Sequence, residues 1–243
     1  MLLALLLACA PRGPALAPPP GPSSAPSPGV ATPAEALSGA RLLPDGWREP
    51  GVIADVPFTA ADPSLGPADA RFTVVSFADY FCPYCAGFWP RVKEMAERNP
   101  DVRVVYKNYP LDPACNPRIE WEGHRFACLA ARAAECAATT GNSVAMADLL
   151  YLYPDHVTPP EMYMFAEKAG LDPAAFGACL DAPTTAGAVA ADIQAGIAAG
   201  ITGTPAVYVL GLEPSGWVDV APNVASLEIV FAELRAGRPL PPP

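Results

Sequence analysis

The chain has 243 residues, 51% of them hydrophobic, with 15 Lys and Arg against 25 Asp and Glu and a formal net charge of −10. Such a length suits one domain with an insertion, or two small domains. An acidic chain without a basic stripe excludes nucleic acid as a partner. Arg91, Lys93 and Arg98 come nearest to one, but they alternate with Glu94 and Glu97 and read as a solvated helix face.

Residues 1–17 read as a signal sequence. The apolar run Leu2 to Ala8 is too short to cross a bilayer, which needs about 20 apolar residues, and fits the core of a secretion signal. Leu6-Leu-Ala-Cys9 resembles a bacterial lipobox, which makes Cys9 the expected lipidation site. The rivals are cleavage after Ala15-Leu-Ala17 and an uncleaved apolar terminus. Of the 32 prolines, many fall between Pro11 and Pro33. Residues 10–45, rich in Pro, Ala, Ser and Gly, are expected to form a disordered tether. The expected location is extracytoplasmic, in the periplasm or cell envelope, with the membrane touched only through a lipid anchor.

The globular part begins near Gly46. Phe72 to Phe77 is β-branched and aromatic and predicts a buried strand. Asp79-Tyr-Phe-Cys-Pro-Tyr-Cys85 follows, and then a helix to Asn99 with Phe88, Val92, Met95 and Ala96 on one face. Val102 to Tyr106 predicts a second strand, which completes a βαβ unit over 46–109. Residues 110–200 read as an all-helical insertion. Its helical windows are Ile119 to Thr139, Ser143 to Leu152, Pro160 to Ala169, Pro173 to Leu180 and Thr184 to Ala199. In 201–238, Ala206 to Leu210 and Trp217 to Val220 predict a hairpin, and Leu227 to Ala236 a closing helix. Residues 239–243 are a tail.

Cys82-Pro-Tyr-Cys85 sits where the strand gives way to the helix. A cysteine at the helix N-cap faces unpaired backbone N–H groups and the positive end of the helix dipole, and both favour its thiolate. Pro83 suits the first helical position because its missing N–H would be unpaired there anyway. Cys85 returns on the same side, one turn deeper. The expected roles are Cys82 attacking and Cys85 resolving. The thiol pair itself carries the electrons, so no cofactor and no metal is expected. A zinc set of Cys82, Cys85, His124 and Cys128 has acceptable ligand types, but its two pairs fall in different predicted subdomains.

Gly203-Thr-Pro205, directly before a strand, resembles the cis-proline loop of thioredoxin-fold proteins. That resemblance brings Thr204 and Pro205 beside the cysteine pair, where with Pro83 and Tyr84 they would meet an extended substrate. Several segments together resemble the DsbA-like family: Gly66-Pro-Ala-Asp-Ala70, Thr73 to Phe77, Asp79 to Cys85, Gly200 to Pro205, and Ala178-Cys-Leu-Asp181 ahead of a helix carrying Asp192-Ile193. The resemblance implies an α/β thioredoxin fold, βαβ then ββα, with a helical insertion between the halves. It implies cysteine-containing exported proteins as substrates, and a membrane redox partner that resets Cys82 and Cys85. A dithiol oxidase is the expected activity. A reductase or isomerase on the same fold is the alternative, since DsbA proper carries histidine where this chain has Pro83-Tyr84. A peptide-binding chaperone is the non-enzymatic alternative.

Cys115, Cys128, Cys136 and Cys179 lie in the insertion. Cys128 and Cys136 on one helix would stand about 12 Å apart along its axis, too far for a disulfide. Cys115, in a loop just before that helix, is expected to pair with Cys128 as a structural staple. Cys136 and Cys179 are left to pair or to remain thiols. Asp79 and Lys107 are candidates for proton transfer with Cys85. His124 and His156 read as surface or helix-end residues.

Overall fold

The computed structural model describes residues 56–60, 62–210, 217–220 and 224–237. The leader with Cys9, the tether, the hairpin turn at 211–216 and the tail lie outside the described residues.

Five strands form one sheet, β1 (Ser64–Leu65), β2 (Phe72–Ala78), β3 (Val102–Asn108), β4 (Ala206–Leu210) and β5 (Trp217–Val220), in the order β1-β3-β2-β4-β5. β2 and β3 run parallel, joined by α1 (Pro83–Arg98). β4 runs antiparallel to β2, with Phe77 opposite Ala206. That register carries Pro205 and Thr204 past the C-terminal end of β2, where the Cys82 turn begins. β1 pairs antiparallel with β3 and is too short to signal itself in the sequence.

β2 is buried on both faces, as a central strand covered by helices on both sides requires. Phe72 and Val74 face α1 and the C-terminal α7 (Val224–Arg235), packing with Phe88, Val92, Met95 and Phe231. Val75 and Phe77 face the other way, onto Tyr109, Ile193 and Tyr208. Each such side chain contributes roughly 1.5–3 kcal/mol on burial.

The insertion carries α2 (Ala127–Ala138), α3 (Ser143–Leu152), a 3₁₀ turn (Pro154–His156), α4 (Glu161–Lys168), α5 (Pro173–Asp181) and α6 (Pro183–Ala198). Met146, Leu150, Met162, Phe165 and Phe176 build its separate core. α6 returns to the sheet and lies against Tyr109. A Cβ at Gly196 would stand 2.5 Å from the Tyr109 ring, so that packing requires glycine.

The window from Ile119 to Thr139 is not one helix. α2 starts at Ala127, after Phe126 in the left-handed region at φ 71°. Gly123 also has positive φ, and the His124 amide donates to the Leu111 carbonyl at 2.7 Å. These features close residues 111–126 into a loop and overrule the apolar spacing of Ile119.

Candidate redox site

Cys82 is the N-cap of α1 in extended conformation, with Pro83 at the first helical position. Its amide donates to the Asp79 carbonyl at 3.1 Å, and its own carbonyl accepts from the Ala86 amide at 3.0 Å. Cys82 is 5% exposed and Cys85 is 1% exposed, whereas Tyr84 between them is 78% exposed. Both cysteines are free thiols. The Thr204–Pro205 peptide bond is cis. The Cys82 thiol donates to the Thr204 carbonyl at 3.2 Å. The Thr204 hydroxyl is buried and makes no hydrogen bond among the described residues while both cysteines are neutral thiols, which leaves it available to a Cys82 thiolate.

The two thiols are driven in opposite directions. Cys82 is lowered from 9.0 to about 5, first by a hydrogen bond from the Cys85 thiol, then by the Thr204 side chain and the amides of Cys85 and Tyr84. These donors outweigh the opposing effect of burial. Cys85 is pushed far up, first by burial and then by its bond to the Cys82 sulfur. Ala78 and Tyr151 pack around the pair. Behind Cys85 stand Tyr80, Tyr106 and Tyr151, whose hydroxyls are all held neutral, chiefly by burial. The site thus holds one exchangeable thiolate against a dry wall.

Asp79 anchors this turn to the insertion. Its carboxylate accepts from the Phe81 amide and from the Leu111 amide, each at 2.6 Å. His124 Nδ1 lies 3.1 Å from the same carboxylate, which is fully buried. His124, expected at the surface or a helix end, is half-buried in the loop before α2. It packs against the Phe81 ring at 6.2 Å, beside the nucleophile. Nothing in the spacing of Asp79 and His124 signals this contact, because a strand, a helix and a loop intervene. His156 is a surface residue paired with Glu161 at 2.8 Å.

Lys107 is engaged elsewhere. Its Nζ contacts Asp62 at 2.7 Å and Asp192 at 2.9 Å. Asp192 also accepts from the Asn108 amide at 2.8 Å, and the Asn108 side chain donates to Glu135 at 2.5 Å. This buried cluster fastens α2 and α6 to the end of β3. Burial raises Glu135 to about 7, and the charges of Asp192 and Asp62 add to that rise.

Cys115 is joined to Cys128, and Cys136 to Cys179. With Cys128 in a disulfide, the four-residue zinc set has lost a ligand. Among the described residues no cluster of His, Cys, Asp and Glu is arranged to hold a metal ion. Among the aromatics, Tyr109, Phe165 and Phe176 are buried, while Tyr153 is 44% exposed.

A family model for the DSBA-like thioredoxin domain matches residues 73–225. The chain belongs to the DSBA-like thioredoxin family. A thioredoxin-like oxidoreductase from Silicibacter pomeroyi is similar in structure, with a TM-score of 0.60 and 26% identity over 73% of this chain and 94% of that one. The catalytic domain of Proteus mirabilis ScsC shares the fold, with a TM-score of 0.59 and 23% identity over 74% of this chain and 93% of its own. In sequence, the Na(+)/H(+) antiporter NhaA 3 of Salinispora tropica is 34% identical over 170 residues, 70% of this chain and 25% of the antiporter. The chain spans about a quarter of the length of the curated relatives it matches. In this DSBA-like chain the Pro83-Tyr84 pair lies over a buried Cys85, and a stapled insertion loop reaches back to Asp79.

Proposed function

We propose that this DSBA-like chain is a dithiol oxidase for cysteine-containing exported proteins. The depressed Cys82 thiol, at about 5, carries the reading. A substrate thiolate attacks Cys82 Sγ of the Cys82–Cys85 disulfide, forming a mixed disulfide. Cys85 leaves and takes a proton, as its burial demands. A second substrate thiolate then attacks the substrate sulfur of that mixed disulfide, and Cys82 leaves as a thiolate. The substrate loses two electrons and two protons, and the enzyme gains both electrons and the proton on Cys85. A low leaving-group pKa speeds the last step and favours the reduced enzyme.

In this reading Pro83, Tyr84, Thr204 and Pro205 meet the substrate backbone, and Asp79 positions the turn. A membrane redox partner removes the electrons, and Cys9 anchors the protein by a lipid outside the cytoplasm. The identity of the two residues between the cysteines favours a second reading, a reductase or isomerase on the same site.

Incubation of the Cys85→Ala variant in oxidised glutathione with a reduced, unfolded substrate protein tests the exchange. A covalent enzyme–substrate adduct that is cleaved by dithiothreitol and absent from the Cys82→Ala variant is expected. Adducts formed equally by both variants would contradict attack at Cys82.

A further inference from the structure

The loop from Pro110 to Phe126 is braced throughout. Asn116, fully buried, donates from Nδ2 to the Pro110 carbonyl at 2.9 Å and accepts from the Arg118 amide at 3.1 Å. The His124 amide closes the loop on Leu111, and Cys115–Cys128 staples it to α2. At Gly123, φ is +63° and a Cβ would stand 2.3 Å from the Leu111 carbonyl oxygen. All this bracing carries an exposed tip, Glu120-Trp121-Glu122, whose indole is 54% exposed.

The tip is continuous with the redox site. Trp121 meets the His124 ring edge-on at 5.8 Å. The His124 ring in turn lies 6.2 Å from that of Phe81, the residue before Cys82. An aromatic run therefore leads from the nucleophile to an open indole between two carboxylates. Indole faces attract cations. Of the basic groups close in sequence, Arg125 is stacked over Phe126 at 4.7 Å.

We propose that Trp121 is a specificity-determining residue that receives a Lys or Arg side chain flanking the substrate cysteine, with Glu120 and Glu122 beside it. The proposal rests on the disulfide-exchange reading. Two ring-to-ring steps and an extended substrate at about 3.3 Å per residue place that cation within about four residues of the cysteine. A tip held rigid before binding loses little conformational freedom when occupied. Its carboxylates repel an acidic flank.

The test measures rates of oxidation of short dithiol peptides by the oxidised full chain, the peptides differing only in Lys, Ala or Glu four residues from a cysteine. The wild type is expected to prefer Lys over Glu by about three- to five-fold, the range of an exposed cation–aromatic contact. The preference falls as salt is added. Trp121→Ala, and separately the double variant Glu120→Gln with Glu122→Gln, each lower the ratio, their combination brings it close to one, and all leave reaction with dithiothreitol unchanged. Equal rates for Lys and Glu peptides in the wild type, or a preference undiminished in Trp121→Ala, overturn the proposal. Failure of the wild type to react with dithiothreitol as well would bring down the exchange reading, and the proposal with it.

Discussion

Cys82 and Cys85 have the same side chain, yet they lie on opposite sides of neutral pH. Position decides the difference. Cys82 stands where a helix offers unpaired donors, whereas Cys85 lies one turn inside with its own donor already pointed at Cys82. Reduced protein titrated by thiolate absorbance is expected to show a single transition near about 5. Thr204→Val removes a buried hydroxyl available to the thiolate while keeping the carbonyl, so it should move the transition upward; an unmoved transition would count against this role. The sign for stability follows from linkage. A depressed acid stabilises the fold above its ordinary value, here 9.0, and that gain is lost as pH falls through about 5. Only the reduced form has the free thiol, so its stability relative to the oxidised form should shrink as pH is lowered across this window. The placement of these residues was legible, because the cysteine pair lies where a strand gives way to a helix and the Thr204-Pro205 step resembles a cis-proline loop. His124 was not, since its partner Asp79 is reached only through the tertiary fold.

At the scale of elements, the join between sheet and insertion is ionic. Lys107 and Asn108 at the end of β3 hold Asp192 of α6 and Glu135 of α2. Glu135 is raised from 4.5 to about 7, so folding favours its protonated form. Its contribution is therefore fully present below 4.5 and is lost as pH rises through about 7. Glu135→Gln keeps an acceptor for Asn108 without the charge. Urea unfolding of that variant should show a shallower loss of stability across this window than the wild type. Equal slopes would show that Glu135 ionises freely. β2 and β3 were legible as β-branched runs, and α1 by its 3.6-residue spacing. The start of α2 was misplaced because Ile119 and Trp121 continue an apolar pattern that the loop's own hydrogen bonds and two left-handed residues interrupt. The charged cluster left no local pattern, since its members come from four separate segments.

For the whole molecule, two cores meet across that join, and two disulfides hold the insertion together. Cys136–Cys179 spans a separation of 43 residues and Cys115–Cys128 one of 13. By chain entropy alone, removing them as serine pairs should cost about 4 and about 3 kcal/mol respectively. Urea unfolding of each paired variant checks the order. A larger loss for the shorter loop would show that the staple's main contribution is native packing around Asp79 and not chain closure. The overall topology was legible because the insertion follows a complete strand–helix–strand unit at a clear change of composition. Among the described residues no helix is long and apolar enough to cross a membrane.

The most direct test of the central claim is the reduction potential of the Cys82–Cys85 pair, measured by equilibrating the protein with glutathione buffers and counting free thiols. Stabilisation of the Cys82 thiolate favours the reduced form, so a value near about −120 mV, in the strongly oxidising range, is expected. A value near about −270 mV, in the thioredoxin range, would contradict a dithiol oxidase and assign the site to reduction.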